Sequence, residues 1–480
     1  MYHSNMEERL KKLEKLKEIG VDPYPHSFHR THTFRQVKEN FETLSKSEET
    51  VSTCGRLMTV RGHGKTVFAT LSDESGKMQV YLRKDRLGEK FEQFQYYDVG
   101  DFVGVKGAIF RTKTEEITVL VDDYVLLSKS LRPLPEKWHG LRDVEIRYRK
   151  RYLDLIANAE VRTIFRRRTR LISLMRRFLD EGGFIEVETP VLQPIYGGAA
   201  ANPFKTYYNA LEQDMFLRIA DELYLKRLIV GGYERVYEVC RDFRNEGIDR
   251  MHNPEFTMLE LYQAYADYTD IMELVELMIE YLLAETGNRK NIRFLDSVID
   301  FSLPFRRIKY VESLTEELGL DVLAAKEDEL DEQCERRGID YKKLSVGSKI
   351  DRLFGETVQK KLVEPTFVVD YPKIISPLAK THRDDDLLVE RFELFIFGVE
   401  IANAFSELND PVEQRERFEA QLAHREQGIG QIDEDFIQAL EHGMPPTGGI
   451  GVGIDRLCMV LLNQPSIRDV ILFPQLRRES

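Results

Sequence analysis

Charged and aromatic residues alternate along two strand-like segments between positions 238 and 262, which a polar loop containing Arg250, His252 and Asn253 joins. Successive side chains of a strand point to opposite faces, so the first segment gathers a charged face. Its members are Glu238, Cys240, Asp242, Arg244 and Glu246. The second segment gathers a mixed face of Phe256, Met258, Glu260 and Tyr262. An aromatic ring, a carboxylate and a phenol on one face suit a pocket for a stacked ring and an ammonium group, although charged strands more often form exposed, salt-bridged sheets.

Two glutamates, Glu393 and Glu400, lie on either side of Phe397–Gly398 in the segment FELFIFGVEIANAF. If Phe397 and Gly398 form a two-residue turn, Glu393 lies opposite Ala402 and on the same face as Glu400. Two such carboxylates can share metal ions, and Mg²⁺ usually takes one or two carboxylates together with phosphate oxygens. The alternative is a solvent-facing acidic pair, which the apolar neighbours of both glutamates disfavour.

The elements that must position these residues fall into regions of different pattern. Residues 1–50 predict a helical extension, and residues 51–128 contain short alternating segments separated by turns, which predict a small closed β-barrel. Residues 129–145 predict a linker, because prolines stiffen it and block helix formation. Residues 146–480 predict a larger α+β region, with a charged helical insertion at about 306–365.

Composition limits the class of protein. The chain has 480 residues, 42% hydrophobic and 31% charged, which is typical of a soluble globular protein with two or three domains. No apolar run reaches the ~20 residues of a membrane span, and the charged N-terminus does not resemble a signal peptide, so we expect a cytoplasmic protein without membrane contact. A net charge of −13 predicts that any nucleic-acid contact is local. The most basic segment, residues 163–178, is interpreted as an amphipathic helix in preference to a nucleic-acid patch.

Three longer segments resemble the signature motifs of the class II aminoacyl-tRNA synthetases. GGFIEVETPVL (182–192) is similar to motif 1, FRNEGIDRMHNPEF (243–256) to motif 2, and GGIGVGIDRLCMVLL (448–462) to motif 3. The chain also contains RIADELYLKRLIVGGYERVYE from position 218, FSELND from position 405 and IRDVILFP from position 467. With these segments it resembles the bacterial-type lysyl-tRNA synthetases from end to end.

The resemblance implies a fold, an activity and a set of site residues. The expected fold is α+β, with an N-terminal OB-fold barrel followed by a class II catalytic domain whose antiparallel sheet is flanked by helices. The expected activity is ATP-dependent formation of lysyl-adenylate and transfer of lysine to tRNA-Lys, with Mg²⁺ as cofactor. Arg244 and Arg456 are expected to be catalytic. The residues implied for ATP are Arg244, Glu246, His252, Asn253, Phe256, Glu393 and Arg456, and those for Mg²⁺ are Glu393 and Glu400.

The choice of amino acid follows from pocket charge, since two buried carboxylates aimed at one cavity demand a cation there. The residues that the resemblance implies for L-lysine are Gly198, Glu222, Arg244, Glu260, Tyr262, Asn403, Phe405 and Glu407. In a regular strand, however, Glu400 lies on the opposite face from Asn403 and Glu407. We therefore predict a β-bulge or bend near residues 401–404.

The barrel is implied to bind the anticodon, because OB-folds bind single-stranded nucleic acid by stacking and hydrogen bonding. The residues that the resemblance assigns to this role are Arg61, Phe68, Gln79 and Glu116. Motif 1 implies a homodimer.

The chain departs from the family pattern at four positions. Ala402 and Ala404 stand where GNGFSEL has glycines, Phe397 replaces a glycine, and Asp221 replaces the proline of RIAPEL. Added methyl groups near a pocket can shrink it or forbid a positive φ, so we expect altered lysine affinity.

Three other functions remain open from the residues alone. A synthetase-like enzyme could lysylate a protein acceptor, or the amino-acid specificity could differ, although the barrel at 51–128 disfavours a protein acceptor. A nucleic-acid-binding module with an inactive catalytic region is disfavoured because Arg244, Glu407 and Arg456 are all present. Lysine-dependent pyrophosphate exchange followed by tRNA charging separates these possibilities.

Overall fold

The computed structural model describes residues 2–47, 50–135, 141–287, 290–423 and 431–478. The chain divides into two compact units, Met1–Arg142 and Asp143–Ser480. Within those described ranges, no helix combines the length and the apolar character needed to cross a membrane. Of the predicted linker 129–145, residues 136–140 lie outside the described residues.

The first unit contains a closed five-stranded barrel whose strands follow the order β1-β2-β3-β5-β4. These strands are β1 (Val51–His63), β2 (Thr66–Ser72), β3 (Lys77–Arg83), β4 (Phe102–Arg111) and β5 (Ile117–Ser128). Alternate residues such as Ala69, Leu71, Val80 and Leu82 are buried in its core, as the period of two predicts. The prediction of a closed barrel is confirmed.

Short helices pack around this barrel. They are α1 (Tyr2–Glu18), α2 (Phe34–Glu39), α3 (Phe41–Lys46), α4 (Lys84–Leu87) and α5 (Lys90–Gln93), with a 3-10 turn at Phe94–Tyr96. Helix α2 begins after Thr33, which forms a reciprocal capping box with Gln36. Phe34 and Val37, one turn apart on α2, enter the barrel core.

The second unit is built on an eight-stranded sheet. Its strands and those of two small sheets are β6 (Ile185–Glu186), β7 (Leu192–Gln193), β8 (Phe204–Tyr208), β9 (Gln213–Leu217), β10 (Arg235–Phe243), β11 (Glu255–Ala264), β12 (Asn291–Phe294), β13 (Ser297–Asp300), β14 (Arg306–Lys309), β15 (Thr366–Pro372), β16 (Leu388–Ile396), β17 (Val399–Ser406) and β18 (Thr447–Gly453). The large sheet has the order β14-β15-β16-β17-β18-β11-β10-β6. Its pairs are antiparallel except at the two edges, where β14–β15 and β10–β6 are parallel.

Helices flank this sheet. They are α6 (Val144–Arg149), α7 (Arg151–Ala157), α8 (Ala159–Glu181), α9 (Glu222–Val230), α10 (Tyr268–Glu285), α11 (Tyr310–Leu318), α12 (Glu327–Arg336), α13 (Val346–Thr357), α14 (Pro411–Ala423), α15 (Glu434–Glu441), α16 (Ile454–Leu461) and α17 (Ile467–Val470). Short 3-10 turns occupy Gln359–Lys361 and Lys373–Ile375. The predicted insertion at about 306–365 contains β14 followed by α11, α12 and α13.

The main apolar core lies on one face of the large sheet, under α8, α10 and α16. Helix α8 is the basic segment, and it buries Leu171, Leu174 and Met175 at helical spacing. Its arginines form ion pairs on the other side, including Arg176 with Glu186. The interpretation of this segment as a packed amphipathic helix is confirmed. The opposite face of the sheet is left to form a cavity.

The hairpin of β16 and β17 turns at Phe397 and Gly398, whose φ angles are +53° and +70°. Both values belong to the primed turns that match the twist of a two-residue hairpin. The register of the β16–β17 pair shifts once, between Leu394 and Phe395. Ile401 of β17 is therefore the extra residue of a β-bulge. The predicted bulge near 401–404 is confirmed.

The bulge corrects one sequence expectation. Glu393 pairs with Asn403 and not with Ala402, because the extra residue changes the register beyond the first two pairs. Glu400 is opposite Phe395, two residues from Glu393 on the same strand face. The bulge therefore places Glu393, Glu400 and Asn403 on one face, which a regular strand could not do.

Candidate active site

A cavity of about 1450 Å³ lies in the second unit, on the face of the sheet opposite the main core. Every residue that the sequence predicted for ATP, lysine and metal binding lines this cavity. These residues are Gly198, Glu222, Arg244, Glu246, His252, Asn253, Phe256, Glu260, Tyr262, Glu393, Glu400, Asn403, Phe405, Glu407 and Arg456. Strands β11, β17 and β18 are hydrogen-bonded neighbours in the sheet and supply its floor.

Glycines of β18 make room for the acidic side chains of the floor. A Cβ atom added at Gly449 would collide with Glu407 and Tyr262, and one at Gly451 would collide with Glu260. Alternate glycines within a strand mark the close approach of another group. Sequence reasoning did not include these two positions, although the alternation in GGIGVG is the signal that could have found them.

At one end of the cavity, two carboxylates form ion pairs with a single ammonium group. Glu222 begins helix α9, and Lys226 follows it by one turn, so their side chains meet on one helix face. The Nζ atom of Lys226 lies 2.5 Å from Oε1 of Glu222, and it also forms an ion pair with Glu407. Glu407 is held after β17 by its backbone N–H, which donates to the carbonyl of Thr447. Lys226 was not predicted, and its i,i+4 spacing from Glu222 is the available signal.

Acidic groups crowd this end. Burial, with Glu222 as a further cause, raises the pKa of Glu407 to about 8, although Lys226 acts in the opposite direction. Burial and the nearby Asp242 and Glu222 likewise raise the pKa of Glu260 well above its ordinary value. The phenol of Tyr262 donates to Glu260 at 3.4 Å. A cation entering here would therefore meet strongly favourable electrostatics.

The other end combines aromatic and cationic groups. The guanidinium of Arg244 lies 5.0 Å from the ring centre of Phe256. Arg456 lies 3.1 Å from Nε2 of His252, and Nδ1 of the same imidazole lies 2.8 Å from Asp249. Two guanidinium groups beside an exposed imidazole and an aromatic ring suit a phosphorylated ligand that carries a flat base.

Arg456 is positioned by its neighbour in the first turn of α16. The carboxylate of Asp455 accepts from the backbone N–H of Thr257 at 2.8 Å and pairs with Arg168 of α8. Asp455 thus ties the start of α16 to strand β11 and to helix α8. Sequence reasoning missed this tie because the contacts join residues far apart in the chain.

The acidic pair of the hairpin faces the same cavity, and each carboxylate has its own arginine. Glu393 accepts from Arg391 at 2.6 Å, and Glu400 accepts from Arg456 at 3.1 Å. Arg391 also donates to Asn403 at 3.1 Å, which fixes the amide of that residue. Burial, followed by the charge of Glu400, raises the pKa of Glu393 to about 7.

Asp221 is fully buried at the start of α9, and neither carboxyl oxygen has a hydrogen-bond partner among the described residues. One carboxyl oxygen of Asp221, one of Asp242 and the Sγ atom of Cys240 lie within 4.8 Å of one another. Burial and the carboxylates of Glu260 and Asp242 raise the pKa of Asp221 well above its ordinary value. This departure from the family pattern therefore adds a carboxyl group that the fold does not neutralise.

Of the two alanines that replace family glycines, Ala402 lines the cavity and Ala404 does not. Ala402 and Ala404 pair with Leu394 and Phe392, and both alanine side chains belong to the main apolar core. The methyl group of Ala404 therefore does not crowd the pocket, whereas the expected effect of Ala402 on lysine affinity stays a prediction. Among the replaced positions, only Phe397 has a positive φ.

In the first unit, the residues predicted for anticodon binding share one face of the barrel. Phe68 pairs with Arg61 on one side and with Tyr81 on the other, and Thr70 next along that face pairs with Gln79. The ring of Phe68 stacks on Tyr81 with centroids 4.2 Å apart. The fourth predicted residue, Glu116, is exposed immediately before β5. Tyr81 was missed, although it alternates with Gln79 in KMQVYLR.

Comparison with known proteins identifies the family of each unit. The family model described as tRNA synthetases class II (D, K and N) matches residues 143–477, and the model described as an OB-fold nucleic acid binding domain matches residues 51–127. The chain is 50% identical to the lysine–tRNA ligase of Carboxydothermus hydrogenoformans, over 99% of this chain and 99% of the relative. It is 52% identical to that of Pelotomaculum thermopropionicum (98% and 94% covered) and 49% identical to that of Thermotoga maritima (98% and 95% covered). The chain therefore belongs to the class II tRNA synthetases, with an OB-fold domain preceding the catalytic region.

Proposed function

We propose that the chain is a lysine–tRNA ligase, which activates L-lysine with ATP and transfers it to the 3′ end of tRNA-Lys. One observation carries the choice of amino acid: Glu222 and Glu407 line the same cavity and converge on one ammonium group, that of Lys226. Their geometry is therefore already that of an ammonium site. The relatives named lysine–tRNA ligase, at about half identity over nearly the whole chain, support the same assignment.

Activation joins the carboxylate of lysine to the α-phosphorus of ATP, and the bond to pyrophosphate breaks. The nucleophile is already ionised, so alignment and neutralisation of charge supply the rate. Arg244 binds the lysine carboxylate and the α-phosphate, and it stabilises the charge that develops there. Phe256 stacks on adenine, while Glu246 and Asn253 contact the nucleotide. His252 and Arg456 bind the terminal phosphates.

Lysine lies across the floor of the cavity. Its ε-ammonium meets Glu222 and Glu407, with Tyr262, Asn403 and Phe405 beside it. Its α-ammonium meets Glu260 near Gly198. In the second step, the terminal ribose hydroxyl of tRNA attacks the lysyl carbonyl, AMP leaves with the electrons of the broken bond, and the hydroxyl proton is released to the AMP phosphate or to solvent.

Glu393 and Glu400 fit Mg²⁺, because both are carboxylates on one strand face that lines the cavity, and hard carboxylate oxygens are the ligands that Mg²⁺ prefers. When bound, Mg²⁺ supplies neutralisation of phosphate charge. Arg391 and Asn403 hold the carboxylate of Glu393 in place.

Partners of the proposed enzyme follow from two surfaces. Arg61, Phe68, Gln79 and Glu116 on the barrel read the anticodon by stacking and hydrogen bonding. A second copy of the chain covers the region of motif 1, where Ile185, Leu192, Tyr207 and Leu211 expose much of their apolar surface. The proposed location is the cytoplasm, which contains tRNA and ATP.

The test is lysine-dependent exchange of labelled pyrophosphate into ATP, followed by charging of bulk tRNA with labelled lysine. The proposal predicts both activities. Exchange without charging would favour a protein acceptor, and exchange that depends on another amino acid would favour altered specificity. Absence of exchange with every amino acid would overturn the proposal.

A further inference from the structure

We infer that Lys226 is a positioning and specificity-determining residue for the substrate ammonium. It neutralises one of the two negative charges of Glu222 and Glu407, so that one positive charge is still missing. This inference rests on the proposed function and goes beyond it, since Lys226 neither lines the described part of the cavity nor was expected to take part. Its side chain is wholly buried behind the carboxylates that do line it.

The contacts divide the carboxylate oxygens between the two ammonium groups. Lys226 binds Oε1 of Glu222 and Oε2 of Glu407. Oε2 of Glu222 lies on the side of Gly198, and Oε1 of Glu407 lies on the side of Gly449, and both glycines line the cavity. Oε1 of Glu407 has no hydrogen-bond donor within the described ranges. One oxygen of each carboxylate is therefore left for a ligand.

The charges of Glu222, Glu407 and Lys226 do not cancel. When both acids are ionised, these three groups together lack one positive charge. A substrate ammonium supplies that charge, whereas a neutral side chain would leave a buried carboxylate uncompensated. Lys226 itself stays charged, because Glu222 and Glu407 raise its pKa against the lowering effect of burial.

Without Lys226 the two acids would repel each other in a dry site. The pKa of Glu407 would then rise further above about 8, because Lys226 is the group that lowers it, and a protonated acid does not select an ammonium group. The other charged or titratable groups facing this pair are Glu260 and Tyr262 of β11, and both of them also disfavour ionisation of the pair. Strand β18 contributes only Gly449 and Gly451.

The same cation also aligns the pair. The Nζ atom joins the first turn of α9 to the residue after β17, two elements that are far apart in the chain. It lies 5.7 Å from the ring centre of Phe405, so the ring limits its position from a third side. Lys226 thereby fixes the separation at which the two free oxygens receive the ε-ammonium.

The experiment replaces Lys226 with Met, which keeps the length of the side chain and removes the charge. Lysine-dependent pyrophosphate exchange is measured with the full chain from about pH 6.5 to about pH 9.5, where the ε-amine of lysine stays mainly protonated. In the unaltered chain, KM for lysine is expected to fall as Glu407 ionises near pH 8. The α-amine of lysine titrates in the same range for both proteins, so the ratio of the KM values of variant and unaltered chain is compared at each pH.

In Lys226→Met, KM for lysine at about pH 7.5 rises about tenfold or more, since each unit of increase in carboxyl pKa removes nine-tenths of the ionised form. The decline of KM with pH continues beyond about pH 9, where the variant approaches the unaltered chain. KM for ATP and the pH dependence of kcat stay within about a factor of three of the unaltered chain. Lys226→Arg restores the original pH profile.

Lys129 provides a matched control, because it is equally buried and pairs with Asp98 at 2.6 Å and Asp101 at 2.8 Å, in the first unit. Lys129→Met should lower thermal stability without moving the pH profile of lysine KM. If Lys226→Met does not fold, Lys226→Gln takes its place. An unshifted profile in either neutral variant, or equal losses for lysine and ATP, would overturn the inference.

The proposed function and the role of Lys226 can be overturned separately. Absence of lysine-dependent exchange in the unaltered chain removes the proposed function and the inference together. Exchange in the unaltered chain with no change of profile in the neutral variants removes the inference alone.

Discussion

Two pairs of carboxylates face the same cavity, and the chain neutralises them differently. Glu222 and Glu407 share one cation, the ammonium of Lys226. Glu393 and Glu400 each have an arginine of their own. The first pair therefore lacks one positive charge, whereas the second pair is balanced before any ligand enters.

The difference explains how one cavity separates a monovalent from a divalent cation. A single missing charge is what the ε-ammonium of lysine supplies, and it leaves no net charge to attract a second cation. The balanced pair gains little from a metal ion alone. It gains more when phosphates arrive, because they add negative charge and compete for the guanidinium of Arg456. We therefore expect Mg²⁺ to enter together with ATP.

The largest effect is expected from Glu407→Gln, which leaves Glu222 to serve two ammonium groups. Removing one partner of a buried ion pair costs about 3 kcal/mol, so kcat/KM for lysine should fall about 100-fold or more. KM for ATP should stay unchanged, because the nucleotide end keeps its groups. The measurement is pyrophosphate exchange at varied lysine.

The matched control for this change is Glu434→Gln. Glu434 is exposed and pairs with Arg415 at 2.7 Å, so its loss should leave exchange unaltered. Equal loss of lysine and ATP affinity in Glu407→Gln would break the comparison, because it would mean that the first pair does not serve the amino acid alone.

The second pair should respond to metal concentration and not to lysine. In Glu400→Gln, the Mg²⁺ concentration that gives half-maximal exchange should rise about tenfold or more, since one hard oxygen ligand is lost. KM for lysine should stay within about twofold. Titration of MgCl₂ at fixed ATP measures the first quantity, and an unchanged Mg²⁺ profile would count against the assignment of this pair.

Strand parity predicted which side chains share a strand face, while the roles of the site residues followed from the family resemblance. The faces of β10 and β11 follow the period of two, and the observed register pairs Glu238 with Glu260 and Asp242 with Phe256 on one face. The conflict between Glu400 and Asn403 even predicted the bulge. Local pattern was sufficient in these cases, because each conclusion concerned neighbours in a single strand or hairpin.

The rest depended on contacts that no local pattern contains. Lys226 meets Glu407 only because α9 packs on β10 and β11 of the same sheet, and Asp455 meets Arg168 only because α16 packs on α8. The side of β17 on which Ala404 lies also required the position of the bulge. Tertiary packing decides such contacts, and a period of two or 3.6 does not encode it.

Asp221 differs from both carboxylate pairs. It is a buried carboxyl group without a hydrogen-bond partner among the described residues. Its folded pKa is raised, so its contribution to stability is present at pH values below about 4 and is lost as pH rises through the folded value. Between the unfolded pKa of about 4 and the raised folded pKa, each pH unit removes about 1.4 kcal/mol, so Asp221→Asn should increase the free energy of unfolding more at pH near 8 than at pH near 5.

Urea unfolding of the full chain at the two pH values, followed by circular dichroism, measures this difference. Asp296→Asn is the control, because Asp296 is exposed and its replacement should have no pH-dependent effect. A gain that is equal at both pH values would show that Asp221 is neutralised by a group other than a proton.

The smallest effect is expected from Ala404→Gly, which restores a family glycine on the core face of β17. Loss of one buried methyl group and the greater freedom of glycine in a strand should lower the free energy of unfolding by about 1 kcal/mol. KM for lysine should not change, because the methyl group packs with Phe392 and the cavity face belongs to Asn403. Urea unfolding and pyrophosphate exchange on the same preparation measure both quantities. A changed KM at unchanged stability would mean that this strand presents its other face to the substrate, and the distinction between the two carboxylate pairs would then have no structural basis.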